Sequence, residues 1–442
     1  MKIRPGGYYE VLKLAYPIVI SMVSRTVMTF VDTAMVGRLG TSQMAAVGLA
    51  GIATWTILSF FSGLLTCINT FVAQHHGANQ PRMVAIITWQ GLYLAFGSYL
   101  LLILVSQFSP YLFALMKPSL EVQQFGTAYI QIRLFGGIGT LIYFTMSSYF
   151  RGIGDTRTPM WIEIFANLTN MTFDYLLIFG KFGFPRMEVE GAAIATVISG
   201  VLAAIIYLLI FLSKRYERKF QVRSLLQFRL PEVGRLMKVG LPMGVQGVLD
   251  VGSFTVFSAM IGRMGNVELA ANTAAITLLH TSFMPLIGIS LAATTLVGQY
   301  IGSNQYANAR ESGYTAIKVG VAYTSLMALL FFCVPNALLS LVTDDPNVIK
   351  LGRKILFLAA IFQVSDGCGI CSSGALKGAG DTLFTMLVGI SYGWLFFLPL
   401  SYWLAGRYGL SGAWTGATVY IILLGITYFL RFRSSRWEKL QI

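Results

Sequence analysis

Long apolar stretches, separated by short charged or glycine-rich segments, follow one another along the whole chain. A helix needs about 20 apolar residues to cross the roughly 30 Å hydrocarbon core of a bilayer. Only helices and closed barrels satisfy their backbone hydrogen bonds there, and continuous apolar runs favour helices over strands of alternating polarity. Only 11% of the 442 residues are charged, against roughly 25% in soluble domains. The sequence therefore predicts an all-α membrane protein.

Twelve membrane-spanning helices are predicted from the lengths of these stretches. They lie near residues 11–36, 44–74, 84–107, 122–150, 158–180, 189–213, 233–262, 270–300, 313–340, 350–376, 382–404 and 411–430. They occupy nearly the whole chain, which leaves no room for a soluble domain of ordinary size.

The basic residues of the loops predict the orientation of the chain, because Lys and Arg accumulate on the cytoplasmic side of a membrane. With the N-terminus inside, the cytoplasmic segments hold 18 Lys and Arg, including Lys2, and the outer segments hold nine, including Lys117. Both termini are therefore predicted to be cytoplasmic, in a multi-pass protein of the plasma membrane, which is the inner membrane in a Gram-negative cell. The net charge of +14 then reflects topology and anionic lipid, and no nucleic-acid partner is needed.

An internal repeat organises the sequence. A shift of 225 residues aligns "FVDTAMVGRLG" (30–40) with "TVFSAMIGRMG" (255–265) and "TFVAQHHGANQ" (70–80) with "TLVGQYIGSNQ" (295–305), and a shift of 226 aligns "RGIGDT" (151–156) with "KGAGDT" (377–382). These landmarks predict two homologous six-span lobes, residues 1–213 and 236–442, joined by a basic cytoplasmic linker, residues 214–235. Because six is even, the repeats are parallel, and such repeats are typical of transporters that work by alternating access around a site between the lobes.

Five of the 18 acidic residues lie inside predicted spans and away from the span ends. They are Asp32, Glu163, Asp174, Asp250 and Asp366. A charge at the centre of a membrane helix costs roughly 2.5 to 3.5 kcal/mol on insertion scales, so such a side chain usually faces a partner or a water-filled cavity. These residues indicate ion binding or transport.

Four polar residues of span 5 share one face of the predicted helix. Glu163, Asn167, Asn170 and Asp174 are spaced by four, three and four residues, which is the helical period. Carboxylate and amide oxygens in such a row can bind a proton or a hard cation such as Na⁺. A polar stripe that joins neighbouring helices is the alternative, because asparagine is commonly used in this way in membranes.

A second polar cluster is predicted in the second half from residues at helical spacing. Its members are Gln246, Asp250 and Ser253 in span 7, with Gln363, Asp366, Ser373 and Lys377 in span 10. An ion pair of Asp250 or Asp366 with a buried base is the alternative interpretation.

Asp32 belongs to the duplicated stretch, but its counterpart in the second half is Phe257. Arg25 lies two helical turns before it on the same face, so a static pair of Arg25 with Asp32 is one interpretation. Position 25 corresponds in turn to Asp250. The two halves thus place their charges differently on one scaffold, which indicates different duties.

The G-x-G-D pattern of intramembrane aspartyl proteases occurs twice, at residues 152–155 and 378–381. Such an enzyme needs two carboxylates close enough to share a proton. The pattern lies, however, at a predicted cytoplasmic loop in both halves, and a basic residue precedes each copy. A duplicated structural turn explains these features better, and the chain is not predicted to be an enzyme.

In order and duplicated, the motifs resemble those of the MATE family of multidrug and toxic compound extrusion transporters over essentially the whole chain. The matching stretches are "VDTAMVGRLG", "FVAQHHGA", "YFRGIGDTRTPM", "NLTNMTFDYLLIFG" and "GAAIAT" in the first half, then "LAAN", "LVGQYIG", "FQVSD" and "GALKGAGDT" in the second. Membership implies two six-helix lobes around a V-shaped central cavity, and export of cationic amphipathic compounds in exchange for H⁺ or Na⁺.

The resemblance also implies roles for single residues, with features of both the NorM and the DinF types. Asp32 matches the family's first-helix acid, and Asn170 with Asp174 matches the pair of the cation site in the first lobe of the DinF type. Pro17 matches the proline at which the first helix bends. In the second lobe, Asp366 matches the tenth-helix acid of the NorM type, and Asp250 stands where that type usually has a glutamate.

The sequence thus leads to a secondary antiporter without a cofactor, which works as a monomer on small organic cations. Ion coupling is assigned to Asp32, Asn170 and Asp174, as a proton or Na⁺ site, together with Asn167 and Glu163 on the same face. The substrate or a second ion is assigned to Asp250, Asp366, Gln246 and Gln363. A flippase of lipid-linked precursors, which has a similar architecture, is the alternative function.

Overall fold

The chain is all-α in the computed structural model, which describes residues 4–111 and 119–440. Lys2 and Lys117 of the loop-charge count lie outside these residues. No strand occurs in the described ranges, so the predicted fold class is confirmed.

The first half of the sequence forms seven described helices of the predicted spans, followed by a short helix in the linker. They are α1 (Tyr8–Gly37), α2 (Thr41–Gly77), α3 (Pro81–Gln107), α4 (Leu120–Phe135), α5 (Ile138–Gly152), α6 (Arg157–Phe179), α7 (Glu188–Phe211) and the linker helix α8 (Lys214–Phe220).

The second half repeats this order. Its helices are α9 (Leu230–Gly262), α10 (Asn266–Gly302), α11 (Tyr306–Cys333), the short α12 (Pro335–Ser340), α13 (Pro346–Gly378), α14 (Thr382–Ile390) and α15 (Leu398–Arg433), with a π-helical segment, Ser391–Phe397, between α14 and α15 and a 3₁₀ turn, Arg436–Lys439, after α15. Helix lies on all twelve predicted spans.

Two predicted spans differ from simple helices because of glycine. Gly136 and Gly137 divide span 122–150 into α4 and α5, and a Cβ atom on Gly136 would lie 2.3 Å from the side chain of Val197 in α7. Spans 382–404 and 411–430 lie on one helical stretch interrupted at Gly409, whose φ of +59° is in the left-handed region that glycine adopts without strain. Apolar length alone did not reveal either feature.

Nine helical stretches of the described residues are long and apolar enough to cross a membrane. The last of them, Thr382–Arg433, covers the final two predicted spans. The span made of α4 and α5 is divided into pieces too short to qualify, and α6 carries the polar face of span 5. These differences account for the gap between nine stretches and twelve spans.

The helices group into two compact units, whose boundaries fall inside two membrane helices. The N-unit is Ile20–Gly244, and the C-unit consists of the described residues of Met1–Val19 and Val245–Ile442. The boundaries lie close to Pro17 in α1 and Pro242 in α9, which are equivalent in the repeat. The first half of α1 thus belongs to the C-unit, and the first half of α9 belongs to the N-unit.

Specific contacts hold these two half-helices. In the C-unit, Tyr300 Oη donates a hydrogen bond of 2.7 Å to Glu10 Oε2, and Thr315 Oγ1 donates one of 2.8 Å to the carbonyl of Gly6. In the N-unit, a Cβ atom on Gly63 of α2 would lie 2.4 Å from the carbonyl oxygen of Met243. The close backbone approach of α2 and α9 thus depends on glycine.

The basic linker is packed against α3. Trp89 Nε1 donates to the carbonyl of Val222 at 2.7 Å, and Gln90 Nε2 donates to the carbonyl of Gln227 at 2.9 Å. Tyr93 donates to the carbonyl of Leu226. The linker is therefore a fixed part of the N-unit and not a free tether.

The two G-x-G-D copies are helix-start turns with engaged aspartates. Gly154 and Gly380 both have positive φ, as a tight turn requires. Asp155 accepts from Thr158 Oγ1 at 2.7 Å and from Tyr216 Oη at 3.1 Å, and burial, assisted by this carboxylate, raises the pKa of Tyr216 to about 12, so the phenol stays a donor. Asp381 accepts from Arg431 Nε at 2.7 Å. Both copies thus have the structure expected of a duplicated turn.

Close packing in the N-unit predicts which glycines tolerate a methyl group. A Cβ atom on Gly139 of α5 would lie 2.7 Å from the backbone nitrogen of Val201 in α7, whereas one on Gly97 of α3 would meet nothing within 4 Å. Gly139→Ala should destabilise the fold by about 1–3 kcal/mol, as overpacking does. Gly97→Ala, the matched control, should be neutral or slightly stabilising through helix propensity. Thermal unfolding in detergent measures both, and equal midpoints for the two variants would contradict the packing described.

Candidate functional site

Three predicted ion-coupling residues come together in the N-unit. Asp32 is on α1, and Asn170 and Asp174 are on α6, where both are fully buried. The carboxylates of Asp32 and Asp174 interact electrostatically with each other and with Arg133 of α4. The Asp174 end of the predicted polar row on α6 thus lies close to Asp32 of α1, and the guanidinium of Arg133 completes the group.

Several polar atoms of this group have no hydrogen-bond partner among the residues that the structure describes. They are both carboxylate oxygens of Asp174, Oδ1 of Asp32, Oδ1 of Asn170 and Nε of Arg133. Buried polar atoms in folded proteins are usually satisfied. Three residues that offer buried carboxylate and amide oxygens have the donor chemistry that a proton or a hard monovalent cation requires.

Glu163, the first residue of the predicted row, has a different role. Arg25 Nε donates to Glu163 Oε1 at 2.9 Å, Arg25 Nη2 donates to Tyr143 Oη at 3.1 Å, and Tyr143 donates to the other Glu163 oxygen. The guanidinium also lies over the Tyr143 ring, 5.5 Å from its centre. The interpretation that Arg25 pairs with Asp32 is therefore wrong, because Arg25 is bound to Glu163. Asn167 donates to Ser24 Oγ at 2.9 Å and lies between the two groups.

A cavity of about 240 Å³ opens beside these residues within the N-unit. Arg25, Arg133, Glu163 and Asn167 form its polar wall, and Trp55 and other side chains form the rest. Sequence reasoning missed the parts played by Arg133 and Tyr143, although each is a polar residue inside predicted span 122–150.

The second predicted cluster is present in the C-unit around Asp250. Asp250 interacts electrostatically with Lys377 of α13, and the side chain of Gln246 hydrogen-bonds to it. Gly389 faces the group, since a Cβ atom there would lie 3.3 Å from Tyr428 Oη and 3.7 Å from Asp250 Oδ1. Tyr428 in turn donates to the carbonyl of Thr385 at 2.8 Å.

The other predicted residues of this cluster lie nearby on α13. Asp366 is buried, and the hydroxyl of Tyr420 on α15 interacts electrostatically with both Asp366 and Asp250. Gln363 Nε2 donates to Ser282 Oγ at 2.5 Å, and its Oε1 is buried without a partner in the described part of the chain. Tyr420 and Tyr428 were not predicted, since nothing in the sequence separates them from the 21 tyrosines as a whole.

Duplicated membrane helices with buried ionisable side chains in each half are typical of one class of protein, the membrane transporters built from internal repeats. The chain belongs to the MATE family. The family model MatE matches residues 17–176 and 242–403, one stretch in each half of the repeat.

Curated relatives match over nearly their whole length. The chain is 30% identical to the probable multidrug resistance protein NorM of Thermotoga maritima over 440 residues, which cover 97% of this chain and 93% of that protein. It is 31% identical to the multidrug resistance protein NorM of Burkholderia vietnamiensis over 435 residues, which cover 96% and 93%.

Solved structures share the fold. One is a MOP superfamily transporter from Pyrococcus furiosus, whose binding pocket is described as having reverse polarity. It is 19% identical to this chain, with a TM-score of 0.89 and coverage of 98% of this chain and 97% of that one. Another is a variant of the Vibrio cholerae MATE transporter VcmN, with 18% identity, a TM-score of 0.87 and coverage of 98% of both chains.

The Arg25–Glu163 pair predicts a non-additive effect on stability. Glu163→Leu should destabilise the fold because it leaves the Arg25 charge without its partner, and adding Arg25→Leu should restore most of the loss. The coupling between the two substitutions should be about 0.5–3 kcal/mol. Unfolding midpoints of the two single variants and the double variant measure it.

A matched control is the exposed pair of Arg186 with Glu188, at 3.0 Å in the same unit. Leucine at these positions should change stability by no more than about 1 kcal/mol, as for surface pairs in general. If the double variant, Arg25→Leu with Glu163→Leu, were no more stable than Glu163→Leu alone, the buried pair would not be the source of the loss of stability.

Proposed function

We propose that the protein is a multidrug efflux transporter that exports cationic amphipathic compounds across the plasma membrane in exchange for H⁺ or Na⁺. The observation that carries this proposal is the group of Asp32, Asn170 and Asp174, in which four buried oxygens, both of Asp174 and Oδ1 of the other two residues, find no partner among the described residues. The relatives named multidrug resistance proteins support the substrate class. The protein acts as a monomer with cytoplasmic termini.

The net charge of the ion site explains why it would bind one cation. With both acids ionised, Asp32, Asp174 and Arg133 sum to a charge of −1, since two carboxylates face one guanidinium. One H⁺ or Na⁺ bound at the oxygens brings the group to neutrality. Inward movement of that charge supplies roughly 2.3 kcal/mol per 100 mV of membrane potential.

Helix α1 links the ion site to a conformational change. Pro17 removes a backbone hydrogen bond inside this helix and permits bending there. Asp32 lies on the same helix, so an ion shared between α1 and α6 favours one conformation of α1 over another. An ion that binds the two conformations with different affinity shifts their populations by that difference.

The cluster in the C-unit takes the organic cation. Asp250 and Asp366 supply negative charge, Gln246 and Gln363 supply hydrogen bonds, and the hydroxyl of Tyr420 adds a further polar group. Lys377 offsets Asp250 in the absence of substrate. A cationic substrate then competes with this lysine for the carboxylate.

A lipid-linked anionic precursor is the alternative cargo. The observation in its favour is that Arg25 and Arg133 both line the 240 Å³ cavity. The pairing of Arg25 with Glu163 weakens it, because one of the two charges is already matched.

Removing either acid of the ion site should uncouple transport. Asp32→Asn and Asp174→Asn should each reduce ion-driven ethidium transport in proteoliposomes to the level of protein-free liposomes, because the neutral amide cannot change charge with the ion. Asp344→Asn, at an exposed loop position, is the control and should transport normally. Wild-type ion dependence in Asp32→Asn would refute this mechanism.

The coupling ion is identified by imposing the two gradients separately. A proton gradient without Na⁺, or a Na⁺ gradient at equal pH, should each be tested for ethidium efflux from the same proteoliposomes. One of them should drive transport in the wild type and neither should in Asp174→Asn. Failure of both gradients in the wild type would exclude antiport.

A further inference from the structure

An open groove lies at the end of α9 and the first half of α15, within the C-unit and away from the Asp250 cluster. Its volume is about 1070 Å³, at the upper end of the roughly 300–1,000 Å³ of small-molecule sites. Its wall is mostly apolar, with Val256, Met260, Leu398 and Pro399 among the lining residues. The groove is large enough for a chain-like apolar ligand.

Two arginines line the same groove. Arg263 follows the last turn of α9, and Arg407 lies two residues before the interruption at Gly409. In the ranges that the structure describes, neither forms an ion pair with a carboxylate. Arg407 lies over the ring of Trp403, 4.3 Å from its centre, which holds the guanidinium at the groove without neutralising it.

Aromatic residues place the groove at a membrane interface. Tyr402 and Trp403 both line it and are 71% and 54% exposed. Exposed Tyr and Trp close to apolar residues and Arg are typical of the level of the lipid headgroups. The predicted topology puts this end of α9 at the outer face.

We propose that the groove binds an anionic phospholipid, with an acyl chain along the apolar wall and the phosphate between Arg263 and Arg407. Charge complementarity selects this occupant. A cationic drug would be repelled by two unmatched guanidinium groups, and a zwitterionic lipid would bring a second cation to them. This site is separate from the proposed ion and substrate sites and does not depend on the proposed function.

The binding test uses the full-length protein in mild detergent with phosphatidylglycerol or phosphatidylcholine, and native mass spectrometry counts the retained lipids. Each basic residue near a membrane surface contributes about a fivefold factor in affinity for an anionic lipid. The double variant R263Q/R407Q should therefore bind phosphatidylglycerol about thirtyfold more weakly than the wild type. The control R353Q/K354Q removes two exposed charges of the C-unit outside the groove and should bind normally.

A second measurement reports where the lipid lies, because brominated acyl chains quench nearby tryptophan. Brominated phosphatidylglycerol should quench the wild type more than W403F, which leaves six of the seven tryptophans in place. Equal binding by the two charge variants, or equal retention of phosphatidylcholine and phosphatidylglycerol by the wild type, would overturn the proposal. Full displacement of the lipid by millimolar inorganic phosphate would also overturn it, because the arginines would then bind a free anion. So would the finding that a second copy of the chain occupies the groove.

Discussion

The hydrocarbon core of a membrane offers no water to a buried charge, and the arrangement of polar residues in this protein follows from that constraint. A carboxylate in such a place must meet a base, a donor or an ion. Glu163 meets Arg25 and Tyr143, and Asp250 meets Lys377 and Gln246. Asp174 accepts no hydrogen bond among the described residues. The satisfied carboxylate of Glu163 thus has a structural role, whereas the unsatisfied carboxylate of Asp174 fits the ion site proposed above.

The duplicated scaffold makes this separation visible, because equivalent positions carry different chemistry. Phe257, the counterpart of Asp32, is fully buried against Phe397 and Trp414, with ring centres 5.1 Å and 5.5 Å away. The second unit therefore uses for aromatic packing a position that the first uses for a carboxylate. Positions 25 and 250, which are also equivalent in the repeat, are both charged but differ in sign, because the first unit has Arg25 and the second has Asp250. This difference in chemistry supports the proposal that ion coupling and substrate binding lie in different halves of one fold.

Much of the fold could be predicted from the sequence, because its strongest signals are long and redundant. Apolar length located all twelve spans, and the repeated motifs located the two halves. Partners could not be predicted in the same way. Arg25 is two turns from Asp32 along one helix, yet it points to Glu163, which is 138 residues away in sequence. Helical periodicity gives the face of a helix but not its neighbour, and the same limit hid Arg133 and Tyr420.

The exchange of half-helices at Pro17 and Pro242 bears on how such a duplication folds. The first half of the sequence carries the start of α1 without Tyr300 and Thr315, the residues that hold it. The second half carries the start of α9 without Gly63, which makes room for it. Neither half of the sequence therefore contains all the packing partners of its own helices. A polypeptide cut at the linker would therefore yield two fragments, each of which carries a half-helix whose packing partners lie in the other fragment.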